Sequence, residues 1–169
     1  MNTVNRPLDA QYLAELQKKA KEDKKECVVG ALLKNAEGKI FLQKRSATAD
    51  LFPDCWDIAG GHVDPGETFY EALGREIEEE TNLKLVKVLD LIEVFDWESN
   101  KGNKSVMKRE FDFTVEVDGD LENPKIESEY TGFLWVDKEK LTELKKNARP
   151  SEVMIFQLVD KALDSETQR

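Results

Sequence analysis

Gly61–Leu83 reads GHVDPGETFYEALGREIEEETNL. From Glu76 to Glu80 only Ile77 interrupts a row of glutamates. Like charges three or four residues apart on a helix repel by about a few tenths of a kcal/mol per pair, so the crowding calls for a reason. At about 100° per residue, Phe69, Leu73, Ile77, Tyr70 and Gly74 share one arc, an apolar stripe for a sheet to cover. Glu76, Glu79 and Glu80 fall together beside that stripe, while Glu71, Arg75 and Glu78 take the remaining arc. A solvated glutamate-rich face is the competing reading. Carboxylates bordering a buried stripe are instead placed to share cations, and an all-oxygen ligand set suits Mg²⁺, with Mn²⁺ as a substitute.

The helix's ends are written in as well. Thr68 followed by Glu71 predicts a capping box, and Pro65-Gly66 forces a turn before it. Asn82 stands where a left-handed C-terminal cap is wanted.

These residues resemble the signature of the Nudix hydrolases: Gly, five residues, Glu, seven residues, then Arg-Glu-aliphatic-any-Glu-Glu-any-Gly-aliphatic. Gly61, Glu67, Arg75, Glu76, Ile77, Glu79, Glu80 and Leu83 match, and Asn82 alone departs, at a backbone turn. The resemblance implies hydrolysis of a diphosphate bond in a nucleoside diphosphate linked to another moiety. It implies Mg²⁺ held by Glu76, Glu79, Glu80 and a backbone carbonyl, for which Gly60 is the candidate. It gives Glu67 and Arg75 an orienting role, as an ion pair bracing the loop. The general base is Glu80 or a glutamate on a later loop, where Glu129 is the better placed and Glu127 the reserve. The resemblance spans roughly Glu26–Lys161. Residues 1–25 are thereby an N-terminal helical extension and residues 26–169 the hydrolase domain.

Outward from this segment, Glu26–Leu33 and Lys39–Lys44 read as strands around a turn at Asn35–Gly38. Arg45 closes the second strand; it is either a phosphate contact, as the resemblance suggests, or a surface residue. Trp56 reads as a core anchor under the glycines, Cys27 as a small apolar residue, and His62 as structural. Leu83–Trp97 and Lys104–Val117 alternate as strands flanking a polar loop, Glu98–Asn103. Phe95 and Trp97 are the candidates for stacking a base, with a core or edge role as the alternative. Thr131–Asp137 is a further strand, Lys138–Lys146 a short helix, and a last helix starts at Pro150 or Ser151 and frays from Asp164. The N-terminal segment, Leu8–Asp23, is helical by pattern and serves as a packing element, a dimer arm or a mobile leader. The expected fold is an α/β sandwich: a mixed sheet with the glutamate-rich helix on one face, the C-terminal helix on the other, and the extra N-terminal helix.

With 169 residues, one domain with a real core is expected. Lys+Arg 25 against Asp+Glu 35 gives −10, which disfavours a broad nucleic-acid or anionic-membrane surface. A phosphorylated small molecule is the expected partner, bridged by cations, and a homodimer is left open. No apolar run is long enough for a membrane span, residues 1–9 lack a signal-peptide core, and two cysteines make no disulfide framework, so a cytoplasmic location is expected.

Three other functions compete with this reading. The run from Leu42 to Glu67 also looks like isopentenyl-diphosphate isomerases, but a single histidine and the position of Cys55 argue against them. A non-catalytic nucleotide sensor would be expected to lose some of these glutamates, and an interaction module with an accidental motif has no use for them. Among substrates, neither Pro nor Tyr occurs between Lys84 and Asn123, which disfavours ADP-ribose and diadenosine polyphosphates. Nucleoside triphosphates, oxidised ones included, remain by elimination.

Overall fold

The structure is a computed structural model and describes residues 8–165. In chain order its elements are α1 (Ala10–Glu22), β1 (Glu26–Lys34), β2 (Ile40–Arg45), β3 (Trp56–Asp57), β4 (Ala59–His62), α2 (Phe69–Thr81), β5 (Lys84–Lys101), β6 (Lys104–Asp118), β7 (Tyr130–Val136), α3 (Lys138–Lys145) and α4 (Pro150–Asp164). All strands join one sheet in the order β3-β2-β1-β6-β5, with β4 paired to β1 and β7 to β2. The β1–β6 pair is parallel and the others are antiparallel, which makes the sheet mixed. The end of the expected frayed tail, from 166 on, lies outside the described residues.

Alternation along β1 sorts its side chains between two cores. Val29, Ala31 and Leu33 join Phe69, Leu73 and Ile77 of α2 and Phe111, Phe113 and Val115 of β6. Leu32 joins Ile58, Phe156, Leu158 and Val159 on the α4 side. The apolar stripe of α2 is thus covered by the sheet, and Tyr70, expected within that stripe, is 47% exposed at its edge instead.

Caps fix α2 at both ends. Thr68 Oγ1 accepts the Glu71 N–H at 3.1 Å, and Asn82 takes φ 59° as the left-handed cap. Helix α1 is a packing element: Leu13 and Ala20 are buried in the α2-side core, and Gln17 Nε2 donates to the Glu67 carbonyl at 2.6 Å. Arg109 on β6 then ties the helix's end down through Asp23 at 2.8 Å.

One boundary differs from the sequence reading. The polar stretch Glu98–Asn103 is not a loop but mostly strand, since β5 runs to Lys101 and pairs with β6 as far as Lys101↔Lys104. Alternating polar residues on both partners make a solvated two-stranded ribbon there, and the two-residue turn Gly102-Asn103, with Gly102 at φ 61°, reverses the chain. Among the described residues no helix is long and apolar enough to cross a membrane.

Candidate active site

Strand β4 is the partition on which the site is built. It follows a cavity-lining segment, pairs with β1 in the register Gly30↔Gly60, and carries two adjacent glycines. On its α2 side, the Gly60 N–H donates to Glu80 Oε2 at 2.9 Å, and Gln43 Nε2 approaches the same oxygen at 3.4 Å. A methyl on Gly61 would overlap the Glu76 carboxylate. Gly60, at φ 149°, backs directly onto the Val29 carbonyl and the Gly30 Cα, so no side chain fits there either.

The glutamates of α2 differ sharply in environment. Glu80 is buried, and loss of water pushes its carboxyl up to about 8, helped by the negative Glu76, Asp57 and Glu127 and opposed by the Gly60 N–H. Glu76 is also raised by burial, against the pull of Arg75, whose Nη1 donates to Oε1 at 2.7 Å. Glu79 is the outer one: its side chain is 54% exposed and reaches Arg75 at 3.5 Å.

Arg75 organises this edge. Its Nε and Nη2 grip the two oxygens of Glu67, each at 2.8 Å, and Nη2 also reaches the His62 carbonyl at 2.9 Å. That planar fork holds Glu67 down to about 2 and closes the turn leading from β4 into α2.

The three glutamates expected to hold cations stand in different surroundings. Glu76, Glu79 and Glu80 share a helix face, yet among the described residues no three acidic, His or Cys side chains stand together as a cage for a metal ion. Arg75 compensates Glu76 and reaches Glu79 at 3.5 Å, while Glu80 accepts the Gly60 N–H. The donor chemistry nevertheless fits a hard cation: every candidate ligand is oxygen, and two of the carboxyls carry a desolvation burden that a cation would relieve.

On its other side β4 lines a cavity of about 520 Å³ whose walls include Arg45, Trp56, Asp57, Phe95, Trp97 and Glu110. Arg45 is committed within the fold, with Nη2 2.7 Å and Nε 3.1 Å from Asp57 Oδ2. Trp56, expected as a core anchor, is only half-buried and lines this cavity, with Lys44 Nζ 5.8 Å from its ring centroid. Phe95 and Trp97 both stand on the cavity wall, and Trp97 Nε1 donates to Glu110 Oε2 at 3.0 Å. His62 Nε2 lies 2.6 Å from Lys108 Nζ.

Of the two loop glutamates, the structure brings Glu127 nearer to α2. Its N–H donates to the Glu80 carbonyl at 3.2 Å, and its charge raises Glu80. Glu129 is exposed; its carbonyl accepts the Ser46 N–H at 2.7 Å, and its charge acts on Arg45 and Tyr130. Sequence reasoning missed Asp57, Glu110, Asp112 and Glu152. The last is buried, accepts the Trp56 N–H at 2.8 Å, and so sets the start of α4 against β3 at the cavity.

A family model for the NUDIX domain matches residues 24–158, a span that holds every group of the candidate site described above. The chain belongs to the NUDIX family. Among curated NUDIX relatives, an uncharacterised Nudix hydrolase of Nostoc sp. is 49% identical over 59 residues, covering 34% of this chain and 35% of that one. An RNA pyrophosphohydrolase of Rhodopseudomonas palustris is 41% identical over 71 residues, 41% of this chain and 39% of its own. These matches therefore span well under half the length of either relative. The crystal structure of a MutT protein from Methanosarcina mazei Go1 superposes with a TM-score of 0.62 at 24% identity, covering 85% of this chain and 96% of that one, a likeness of NUDIX fold.

Proposed function

We propose that this NUDIX protein hydrolyses a diphosphate bond in a nucleoside diphosphate linked to another moiety. Nucleoside triphosphates, oxidised ones included, are the substrates to try first. The observation that carries the reading is the placement of Glu80 and Glu76 against the two β4 glycines, beside a cavity wide enough for a planar group. A diphosphate laid along β4 would meet bare backbone on the strand and carboxyls on the helix, with its nucleoside turned into the cavity.

Mg²⁺, or Mn²⁺ in its stead, would be held by Glu76, Glu79, Glu80 and the Gly60 carbonyl; it would neutralise the diphosphate and lower the pKa of a bound water. The chain's own groups do the rest. Arg75 fixes the direction of the Glu76 carboxylate while Glu67 fixes Arg75, so the ligand edge is braced from behind. The Gly60 N–H orients Glu80 through Oε2 and leaves Oε1 to accept a proton from the attacking water. Glu129 is the alternative base, and Glu127 the one that lies nearer to α2. Arg45, held by Asp57 at the cavity wall, is positioned to change partners when a phosphate arrives.

The test is a panel of nucleoside triphosphates, oxidised triphosphates and 5′-triphosphorylated RNA, assayed with Mg²⁺ and with Mn²⁺ for released phosphate and pyrophosphate. Metal-dependent turnover of free nucleotides is the expected result. The RNA arm is expected to be weak, since a chain of net charge −10 offers little to a polyanion. Absence of turnover on every substrate would leave a fold without this chemistry.

A further inference from the structure

The α4-facing side of β6 carries Lys108, Glu110, Asp112 and Thr114, a polar row where a core face is expected. Lys108 is accounted for by Glu26 at 2.9 Å and by His62. The acid pair is not. Asp112 is fully buried, no N–H or hydroxyl donor reaches its carboxyl oxygens, and Glu110 is the acid it shares a proton with. Its Oδ1 fills the place that a side chain on Gly30 would take, so it lies immediately behind a residue of the cavity floor. Glu110 is the next side chain on that face and itself lines the cavity, opposite Phe95 in the β5–β6 register.

An acid buried away from water and from hydrogen-bond donors is costly, so two side by side at a cavity floor call for an explanation. Burial raises both acids, and the neighbouring Glu110 charge raises Asp112 further, so the pair shares a proton that the more deeply buried Asp112 keeps. Glu110 is left as the acceptor of the pair. Its Oε2 takes the Trp97 indole N–H, and its carboxyl lines the cavity where a ligand can reach it. Among the described residues Arg45 is the one cation on the cavity wall, and it stands with Asp57. Glu110 and Asp112 have no cation beside them, so their end of the cavity favours a group bearing N–H donors over an anion.

We propose that Glu110 is a specificity-determining acceptor that binds the amino and ring N–H edge of a planar heterocycle lodged in this cavity beside Phe95 and Trp97. Asp112 acts through Glu110 as a positioning residue. The inference rests on the hydrolase reading for which phosphates the heterocycle carries, but not for the subsite.

Nucleoside monophosphates test it directly, because they contain no diphosphate bond. Calorimetry on the whole protein compares GMP with IMP, which share the ring N–H and differ by an amino donor, and CMP with UMP, where the amino donor of one stands against the ring N–H of the other. The amino-bearing member of at least one pair is expected to bind about tenfold tighter or better, the usual worth of a hydrogen bond to a charged acceptor. Glu110→Gln should shrink that ratio to within about threefold, since the amide keeps the Trp97 bond and gives up the charge. Trp97→Phe, which frees Oε2, should shift the ratio too if Glu110→Gln fails to fold. Equal binding within both pairs, no binding of any of the four, or a ratio untouched by Glu110→Gln would overturn the proposal. Selective binding together with no turnover of any triphosphate would instead sink the hydrolase reading and leave the subsite standing.

Discussion

Gly60 and Glu80 meet at 2.9 Å, a backbone N–H on one carboxylate oxygen, across the seam between strand β4 and helix α2. The contact places a potential negative charge in a nearly dry position, where the single N–H only partly replaces the lost water. Stability therefore depends on pH in a defined direction. The folded carboxyl sits at about 8, above its ordinary value of 4.5. The folded state thus holds the proton more tightly, and its contribution is full below about 4.5 and lost as pH rises through about 8. The metal-free protein is expected to melt at falling temperature over this window, with Asp112 acting in the same sense up to about 9.

Glu80→Gln separates the two acids. The amide oxygen still accepts the Gly60 N–H, and no charge has to be buried. Metal-free protein at about pH 8 should then melt higher, by roughly 2–4 °C for each kcal/mol relieved in a domain of this size. Turnover should fall by about 10²-fold or more, because both ligand charge and proton acceptor are gone. Thermal melts across pH and a steady-state assay check both halves, and a variant melting lower than the parent at pH 8 would contradict the account.

The Arg75–Glu67 fork sets the opposite, acid limb. Glu67 is held at about 2, so its contribution is present above about 4.5 and disappears as pH falls toward about 2. Arg75→Lys keeps the charge but cannot span both oxygens of Glu67, the His62 carbonyl and Glu76 together. A loss of about 1–2 kcal/mol is expected for this partly buried network, with Mn²⁺ affinity about tenfold weaker. Urea titration and manganese binding measure the two effects; unchanged affinity would show that Arg75 braces the turn without orienting Glu76.

The two β4 glycines should fail in different ways. Gly61→Ala puts a methyl into the Glu76 carboxylate, the movable end of a side chain, so the fold should survive with Glu76 displaced and turnover reduced by about 10²-fold. Gly60→Ala drives a methyl into the Val29 carbonyl from a backbone at φ 149°, and poor expression or a large drop in Tm is expected. Equal behaviour of the two in soluble yield and Tm would refute this distinction.

How much of this was legible before folding follows from how far each signal reaches along the chain. Helix α2 is local: Thr68, Asn82 and the apolar stripe announce it within its own span, and its caps form where the sequence puts them. The Arg75–Glu67 pair is equally local, two turns apart on one segment. Glu110 and Asp112 were not legible, because strand alternation shows a polar face without showing what covers it. Residues of α4, from Pro150 onward, line the same cavity as Glu110, and Asp112 behind it is fully buried; only then do the acids become unusual. The Arg45–Asp57 pair was hidden in the same way, since it depends on the β2–β3 register Gln43↔Asp57. Strands as short as β3 and β4 carry too few residues for any period to show.

Glu79 gives the sharpest test of whether the helix face binds cations at all. Its side chain is 54% exposed and its one partner is Arg75 at 3.5 Å, a contact worth little in water. Nothing in the fold needs its charge, so Glu79→Gln should melt within about 1 °C of the parent, the usual range for a surface exchange. Were the face merely solvated, activity would be equally indifferent. If instead Glu79 swings in beside Glu76 and Glu80 to complete a ligand set, the same substitution should lower turnover by about 10²-fold and weaken Mn²⁺ binding with it. The helix geometry permits that motion, because Glu79 stands one turn from Glu76 and adjacent to Glu80, and releasing Arg75 costs little. Paired melting and manganese titration of parent and variant decide the matter: normal stability with lost affinity assigns Glu79 to the cation, and normal affinity removes it from the site.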